Sequence, residues 1–463
     1  MLDLIIRGGQ VVTPAGVRQC DIGIEGGIIR ALEPEMAGTA RAEHSASGLH
    51  VLPGLVDLHV HFNEPGRGDW EGLYTGSSAL LAGGGTTFGD MPLNSDPPLL
   101  DAATFAAKLE AARAHSHADF ALWGGLTPLN LERLPELAAC GALGFKAFMS
   151  SSGIPEFPAA DEATLHAGMV QAAALGLVVA VHAESEALTA QLSAGLNRPG
   201  APWRDYLNSR PVRAELEAIA LAVSLAQGTG CRLHVVHVSS GEGAALIAQA
   251  RMEGVNVSAE TCPHYLSFTD TDLERLGATL KCAPPLRSRV IQDELWAAVV
   301  GGGIQSIGSD HSPCPPDLKT SANPFEVWGG IAGVQSSLNA LLTHGTDLSG
   351  GRGHGLTLER LVQLTAQAPA RRFELAGKGE IAVGFDADLV LVDLTTQTVL
   401  KADELLNRWP ETSPYIGQTL QGRVVSTWLR GVRAYADGRV NGGVRGRFIR
   451  PLTDSSQEGF KRP

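Results

Sequence analysis

The residues able to do chemistry in this chain are histidines placed where apolar runs end. The stretch Asp57-Leu58-His59-Val60-His61 closes one such run. Alternate side chains of an extended strand project to the same side, so His59 and His61 can grip one metal ion. His182 ends the core of LVVAVHAE, His237 ends that of LHVVHVSS, and Asp310 closes IQSIGSD. Four histidines and a carboxylate suit a divalent transition metal such as zinc, manganese or cobalt. Cys20, Cys140, Cys231, Cys262, Cys282 and Cys314 are widely spread with no CxxC pair, which disfavours a structural zinc site. Lys146, inside GFKAF, is different in kind, because an ammonium has no lone pair to offer a metal. It could contribute only after modification: a carbamate formed with CO2 is an anionic oxygen donor able to bridge two cations. Taken singly, each histidine also reads as a packed core residue, Lys146 as a paired or snorkelling lysine, and Asp310 before His-Ser-Pro as a turn former.

What turns separate residues into one site is the set of elements that must carry them. From Leu55 onward, short apolar runs alternate with Ala- and Leu-rich stretches, the pattern of β/α units around a parallel sheet. Eight strands are predicted at 55–61, 86–91, 119–123, 144–149, 177–182, 232–237, 255–260 and 304–309. Helices are predicted between them at 102–114, 162–174, 213–226, 242–252 and 286–300. Eight strands separated by helices predict a (β/α)8 barrel, whose carboxyl-terminal strand ends converge on one face. His59 and His61, Lys146, His182, His237 and Asp310 come from five of those strands, so they could meet on that face. The first fifty residues and the segment past Gly377 share a texture of short strands and Gly-rich turns. The expected organisation is therefore a small composite β-sandwich domain formed by residues 1–52 and 377–463, with the barrel, residues 53–376, inserted between them.

Composition narrows the partners. At 463 residues the chain could hold about three domains at roughly 100–200 residues each, although one barrel alone takes about 250. With 44% hydrophobic and only 18% charged residues, disorder is excluded. A formal charge of −13 argues against a nucleic-acid or anionic-membrane partner, since such surfaces need clustered Lys and Arg. No apolar stretch approaches the roughly 20 residues of a membrane span. The N-terminus lacks the basic and long apolar parts of a signal peptide, and the cysteine spacing reads as reduced, so the expected compartment is the cytoplasm.

The motifs PGLVDLHVHFNEPG, GFKAFM, VHAE, VVHVSS, ETCPHYL, KCAPPLR and IGSDHSP together resemble the cyclic amidohydrolases, the group of dihydroorotase, hydantoinase and allantoinase. The resemblance covers nearly the whole chain. Within the group, NEPGR with DWEG, DMPLNSDPP, GFKAFMSSSGIPEFP, KCAPPLR and WGGIAGVQ are most similar to the allantoinases. Dihydroorotases typically carry an arginine where this chain has Asn63, and hydantoinases a tyrosine where it has Ser151. The resemblance implies a binuclear metal centre in which His59 and His61 hold one ion and His182 and His237 the other. It makes Lys146, as N6-carboxylysine, the bridge, and Asp310 both a ligand of the first ion and the proton shuttle. The implied reaction is hydrolysis of the hydantoin-ring amide of allantoin, a small molecule, to allantoate in purine degradation. Relatives of this kind are commonly homotetramers.

Substrate contacts are expected from Asn63, from Asn94 in the loop after the second strand, and from Ser151 after the fourth. Ala283 and Gly330 lie in later loops, 282–285 and 329–333, that could read the ring through the backbone. His264 and His311 are expected not to be direct ligands, and the polar stretch 312–323 has the composition of a lid. Another neutral hydantoin or a dihydropyrimidine is the second reading, dihydroorotate the third, with Asn63 arguing against it. A non-catalytic scaffold of the same fold is the reading from a different class, disfavoured because all six ligand positions are filled.

Overall fold

A computed structural model describes residues 1–13, 15–349 and 353–452 of the chain, so the end of the expected C-terminal segment, 453–463, lies outside the described residues. The N-terminal segment forms β1 (Leu4–Thr13), β2 (Gly16–Glu25), β3 (Ile28–Glu33), β4 (Ala42–Ser45) and β5 (His50–Pro53). Gly26 and Gly27, both at positive φ, make the turn between β2 and β3, a conformation that side chains with a Cβ resist.

The parallel strands follow: β6 (Leu55–Val60), β7 (Gly85–Asp90), β8 (Asp119–Leu122), continued by β9 (Gly124–Gly125), then β10 (Gly144–Phe148), β11 (Val178–His182), β12 (Arg232–Val235), β13 (Val257–Thr261) and β14 (Ser306–Ile307). β6 pairs with β7 and β7 with β8, while β9 through β14 pair in sequence order, all in parallel. The two ladders join where the Leu143 amide donates to the Leu122 carbonyl, and the ring closes where the His61 amide donates to the His311 carbonyl. Eight successive strand positions thus form a closed parallel barrel, and they coincide with the eight read from the sequence.

Helices cover the strands from outside. Ala102–His115, Glu162–Leu175, Val212–Thr229, Gly241–Met252 and Arg289–Gly301 overlap the five predicted helices. Asp101, Asp161 and Ser240 cap three of them by accepting from backbone amides three residues on. Alternation along the strands sorts the side chains. In β11, Val179 and Val181 join the large core that includes Leu165, Met169 and Ile219 of the helices. Val178 and Ala180 join a separate cluster with Leu58, Trp123 and Val236. Lys146 registers with Ala180, and Phe148 with His182, which puts Lys146 and His182 on the same side of the wall as Ala180.

After the barrel come β15 (Leu389–Val399), β16 (Thr419–Leu429), β17 (Val432–Ala436) and β18 (Arg439–Val440). β15 pairs antiparallel with β5, so strands from both ends of the chain share one nine-stranded ladder, ordered β18-β17-β16-β15-β5-β1-β2-β3, with β4 on β1. Its own core contains Ile6, Val11, Ile22, Val51, Leu389 and Trp428. Among the described residues no helix is long and apolar enough to cross a membrane.

Candidate active site

The six expected metal-site residues meet at the carboxyl ends of the barrel strands. His59 Nε2 lies 3.2 Å and His61 Nε2 3.4 Å from one oxygen, Asp310 Oδ1. Across the barrel, His182 Nδ1 and His237 Nε2 stand 3.1 Å apart. The His59 and His237 rings are 5.4 Å apart, so the two groups share one space. Lys146 adjoins both, its charge acting on His182 and His237 and feeling that of Asp310. His237 and Asp310, like Asn63, have positive φ. Residues other than glycine pay for that conformation, and here it turns two strand ends inward.

Three of the four histidines are oriented by a partner on their other nitrogen, whereas the buried Nδ1 of His237 has none. His59 Nδ1 is 2.7 Å from Glu260, and His61 Nδ1 donates to the Leu93 carbonyl at 2.9 Å. His182 Nε2 is 2.9 Å from Glu184, whose carboxylate also pairs with Arg210. Such contacts fix the tautomer and leave the opposite nitrogen with a free lone pair. Sequence reasoning missed Glu184, Glu260 and Arg210 as site residues. Glu184 and Glu260 sit inside the motifs VHAE and ETCPHYL, and Glu184 two residues past His182 was the available signal.

Burial sets the electrostatics. It pushes the His182 and His237 imidazoles down, toward the neutral form that can ligate a metal. The Lys146 amine is fully buried, and its Nζ has no hydrogen-bond partner. Burial lowers it to about 8, which raises the fraction of free amine. Burial alone would raise the Asp310 carboxyl, but His59, His61 and His237 overcome it and keep it well below the usual carboxylate range.

The same end of the barrel opens into a cavity of about 480 Å³, lined by His59, His61, His182, His237 and Asp310. Of the expected substrate contacts, Asn94, Ser151, Ala283 and Gly330 also line it. Asn63 does not: it is fully buried behind Asn94, whose side-chain amide approaches its Oδ1 at 3.5 Å. His311 is likewise set back, its Nδ1 accepting from the Gly333 amide and its Nε2 lying 3.3 Å from Glu71. His264 is nearer. Its buried Nε2 has no partner, and Cys262, His264 and Asp310 form a second compact group of ligand-type atoms beside His59, His61 and Asp310. The stretch 312–323 begins at the cavity with Ser312 and is tied down further along by Lys319, which donates to the carbonyls of Ala278, Trp328 and Gly330.

Comparison with known proteins agrees with this architecture. Residues 50–434 match the Amidohydrolase family. The chain is 52% identical over 451 residues to a protein named allantoinase from Deinococcus radiodurans, covering 97% of this chain and 99% of that one. It is 52% identical over 456 residues to another from Rubrobacter xylanophilus, covering 98% and 99%. Among solved structures, the L-hydantoinase (dihydropyrimidinase) from Arthrobacter aurescens superposes with a TM-score of 0.93 at 34% identity, over 97% of this chain and all of that one. The dihydropyrimidinase from Brevibacillus agri gives 0.87 at 30% identity, over 99% of each. From its barrel, its strand-end histidines and these matches, the chain belongs to the amidohydrolase family.

Proposed function

We infer that this chain hydrolyses the hydantoin-ring amide of allantoin to allantoate in purine degradation. One observation carries the reaction class: four histidines and an aspartate line one cavity at the end of the barrel, with the buried Lys146 beneath it electrostatically coupled to His182, His237 and Asp310. The choice of allantoin rests on the near full-length relatives named allantoinase. The hydantoinase reading is the second, favoured by the structural likeness to the Arthrobacter aurescens protein.

The residues fit a pair of divalent ions, zinc in first place and manganese or cobalt as the others. His59, His61 and Asp310 would hold one ion, and His182 and His237 the other. Lys146, with its unpartnered Nζ, would bridge them as N6-carboxylysine. Carboxylation needs the neutral amine: the nitrogen lone pair attacks CO2, one proton leaves, and a carbamate results. When bound, the ions polarise the ring carbonyl and lower the pKa of the attacking water.

The protein's own groups do the rest. Asp310, held ionised by three histidines, accepts a proton from the water as its oxygen bonds to the ring carbonyl carbon. It returns that proton to the ring nitrogen as the carbon–nitrogen bond breaks, so that nitrogen leaves as a neutral ureido group. Asn94, Ser151, Ala283 and Gly330 line the cavity where the ring would sit, whereas Asn63 acts from behind by supporting Asn94.

The same reading divides the chain into 1–52, 53–376 and 377–463, supported by the ladder that joins both ends. It places a homotetramer in the cytoplasm, where six free cysteines are at home. The test of function is an assay of metal-replete protein on allantoin, hydantoin and dihydroorotate. Allantoin is expected to be turned over fastest. Opening of another ring with none of allantoin overturns the assignment, and light scattering checks the tetramer.

A further inference from the structure

One wall of the cavity is a strip of backbone, Phe325, Val327, Trp328, Gly329 and Gly330, that belongs to no strand and no helix. Such a strip has no ladder to satisfy its carbonyls, and an unsatisfied carbonyl in a closed wall is costly. Two lysines supply the missing donors. Lys281, buried and lining the cavity, donates from Nζ to Phe325 O at 3.3 Å and to Val327 O. Lys319 donates from Nζ to Trp328 O at 3.0 Å and to Gly330 O at 2.7 Å, and to Ala278 O at 3.1 Å behind them. The Gly330 amide in turn donates to the Lys281 carbonyl at 2.7 Å, closing the lattice.

Among the described residues neither lysine makes an ion pair with a carboxylate, which is unusual for ammoniums this enclosed. Burial holds Lys281 down at about 7 and Lys319 at about 8. Arg210, on the Lys281 side of the cavity, lowers Lys281 further and offers it nothing to pair with. Four of the five carbonyls that the two lysines reach belong to a single wall, and Lys281 Nζ also lies 4.8 Å from the centre of the Tyr206 ring. That wall carries Trp328, whose indole N–H is buried without a partner, and whose ring packs edge-on to Trp70 at 4.8 Å.

We propose that Lys281 and Lys319 form a clamp that fixes the 325–330 strip as the substrate-discriminating wall of the site, acting as positioning residues on the ring's substituent and not on the metal ligands. The proposal rests on the allantoin reading, because the substituent that the wall would recognise is the ureido arm distinguishing allantoin from plain hydantoin. Trp328, Gly329 and Gly330 line the same cavity as His59 and His237, so an arm projecting from a ring bound there falls within reach of this wall. Holding the strip in advance removes the ordering cost that binding would otherwise meet, so the clamp acts on KM more than on kcat.

The test uses the metal-loaded enzyme and the variants Lys281→Met and Lys319→Met, which keep the side-chain length and remove the donors. Amide hydrogen exchange in 325–330 is expected to speed up at least tenfold, while the segment carrying His182 is unchanged. KM for allantoin is expected to rise about tenfold with kcat within about threefold and metal content unaltered. Lys281→Arg, which retains donors, is expected to recover part of the loss. Unchanged exchange and KM in either folded variant overturns the clamp. So does collapse of the whole fold in both methionine variants, since the lysines would then be general core supports. If the wild-type protein opens another ring but not allantoin, the functional reading fails separately, and the exchange measurement alone decides whether the strip is clamped.

Discussion

At the scale of single residues, the site depends on side chains that burial has made reactive. Lys146 is the sharpest case, because a fully buried amine without any hydrogen-bond partner is a liability unless something occupies the space beside it. Lys146→Ala is expected to lose metal and activity together, with part of the activity restored by short carboxylic acids that replace the carbamate oxygens. Metal analysis with and without added acid checks this, and undiminished activity in the variant would remove the lysine from the mechanism. Asp310→Asn keeps the shape of the side chain but cannot take up a proton. It is expected to lower kcat by about 10²–10⁴, the span typical of a lost general acid–base, which steady-state kinetics on metal-replete protein would show. Lys146 lies in the middle of β10 and was picked out through the family resemblance of GFKAFM, whereas Asp310 was legible in the sequence because it closes a strand, and strand ends have a fixed destination in a barrel. Asn63 was misplaced for the opposite reason. It follows His61 closely in sequence, yet its positive φ turns its side chain behind Asn94, and no spacing rule foretells that turn.

At the scale of elements, the strand ends are joined by carboxylates that act through the histidines. β11 ends on His182, Glu184 follows two residues beyond it, and Arg210 comes from the end of the helix Trp203–Ser209 to neutralise it. Glu184→Gln can still accept from His182 but loses the ion pair with Arg210. Metal affinity is expected to fall by about 10–100-fold, which chelator competition would measure, with a smaller loss than in Glu184→Ala. The same carboxylates predict a pH response. Burial would raise the Glu184 carboxyl, but Arg210 and His182 hold it at about 2; likewise His59 and His234 hold Glu260 at about 2 against burial. A carboxyl depressed from 4.5 to about 2 on folding stabilises the protein above 4.5, and that contribution drains away as pH falls from 4.5 through 2. Metal-free protein is therefore expected to melt at progressively lower temperature below about pH 4.5. Thermal melts across pH check this, and Glu184→Gln should flatten the slope. These partnerships were only half legible: the glutamates stand in motifs visible in the sequence, but Arg210 reaches Glu184 from 26 residues away, across two helices and the loop between them, a separation that no local spacing rule bridges.

At the scale of the whole molecule, the question is how a sheet made from both chain ends is tied to the barrel between them. The alternation of apolar runs made the barrel readable, and the shared β texture of the ends made the joint sheet readable. The tie itself was not readable, because it is a charge cluster assembled over very long separations. Asp119, which opens β8, lies 2.6 Å from Lys378 and also pairs with Arg430 from the turn between β16 and β17. Lys378 further contacts Asp388 at 2.7 Å and Asp386 at 2.8 Å, and its side chain is 1% exposed. Three carboxylates and two cations nearly balance around a buried centre, with only Asp386 and Arg430 partly reaching solvent, an arrangement that is stable only when complete. Removing Lys378 would leave Asp386 and Asp388 facing Asp119 with Arg430 as the only neighbouring cation of the cluster. Lys378→Met is therefore expected to cost about 3–5 kcal/mol of unfolding free energy, the usual penalty for stranding one side of a buried pair. Because the cluster lies at the amino-terminal start of β8 and the metal ligands lie at the opposite strand ends, kcat/KM of the surviving folded fraction should stay within about twofold. Denaturant unfolding read beside kinetics separates the two effects, and a variant as stable as the parent would show that the sheet is held to the barrel by its apolar contacts instead.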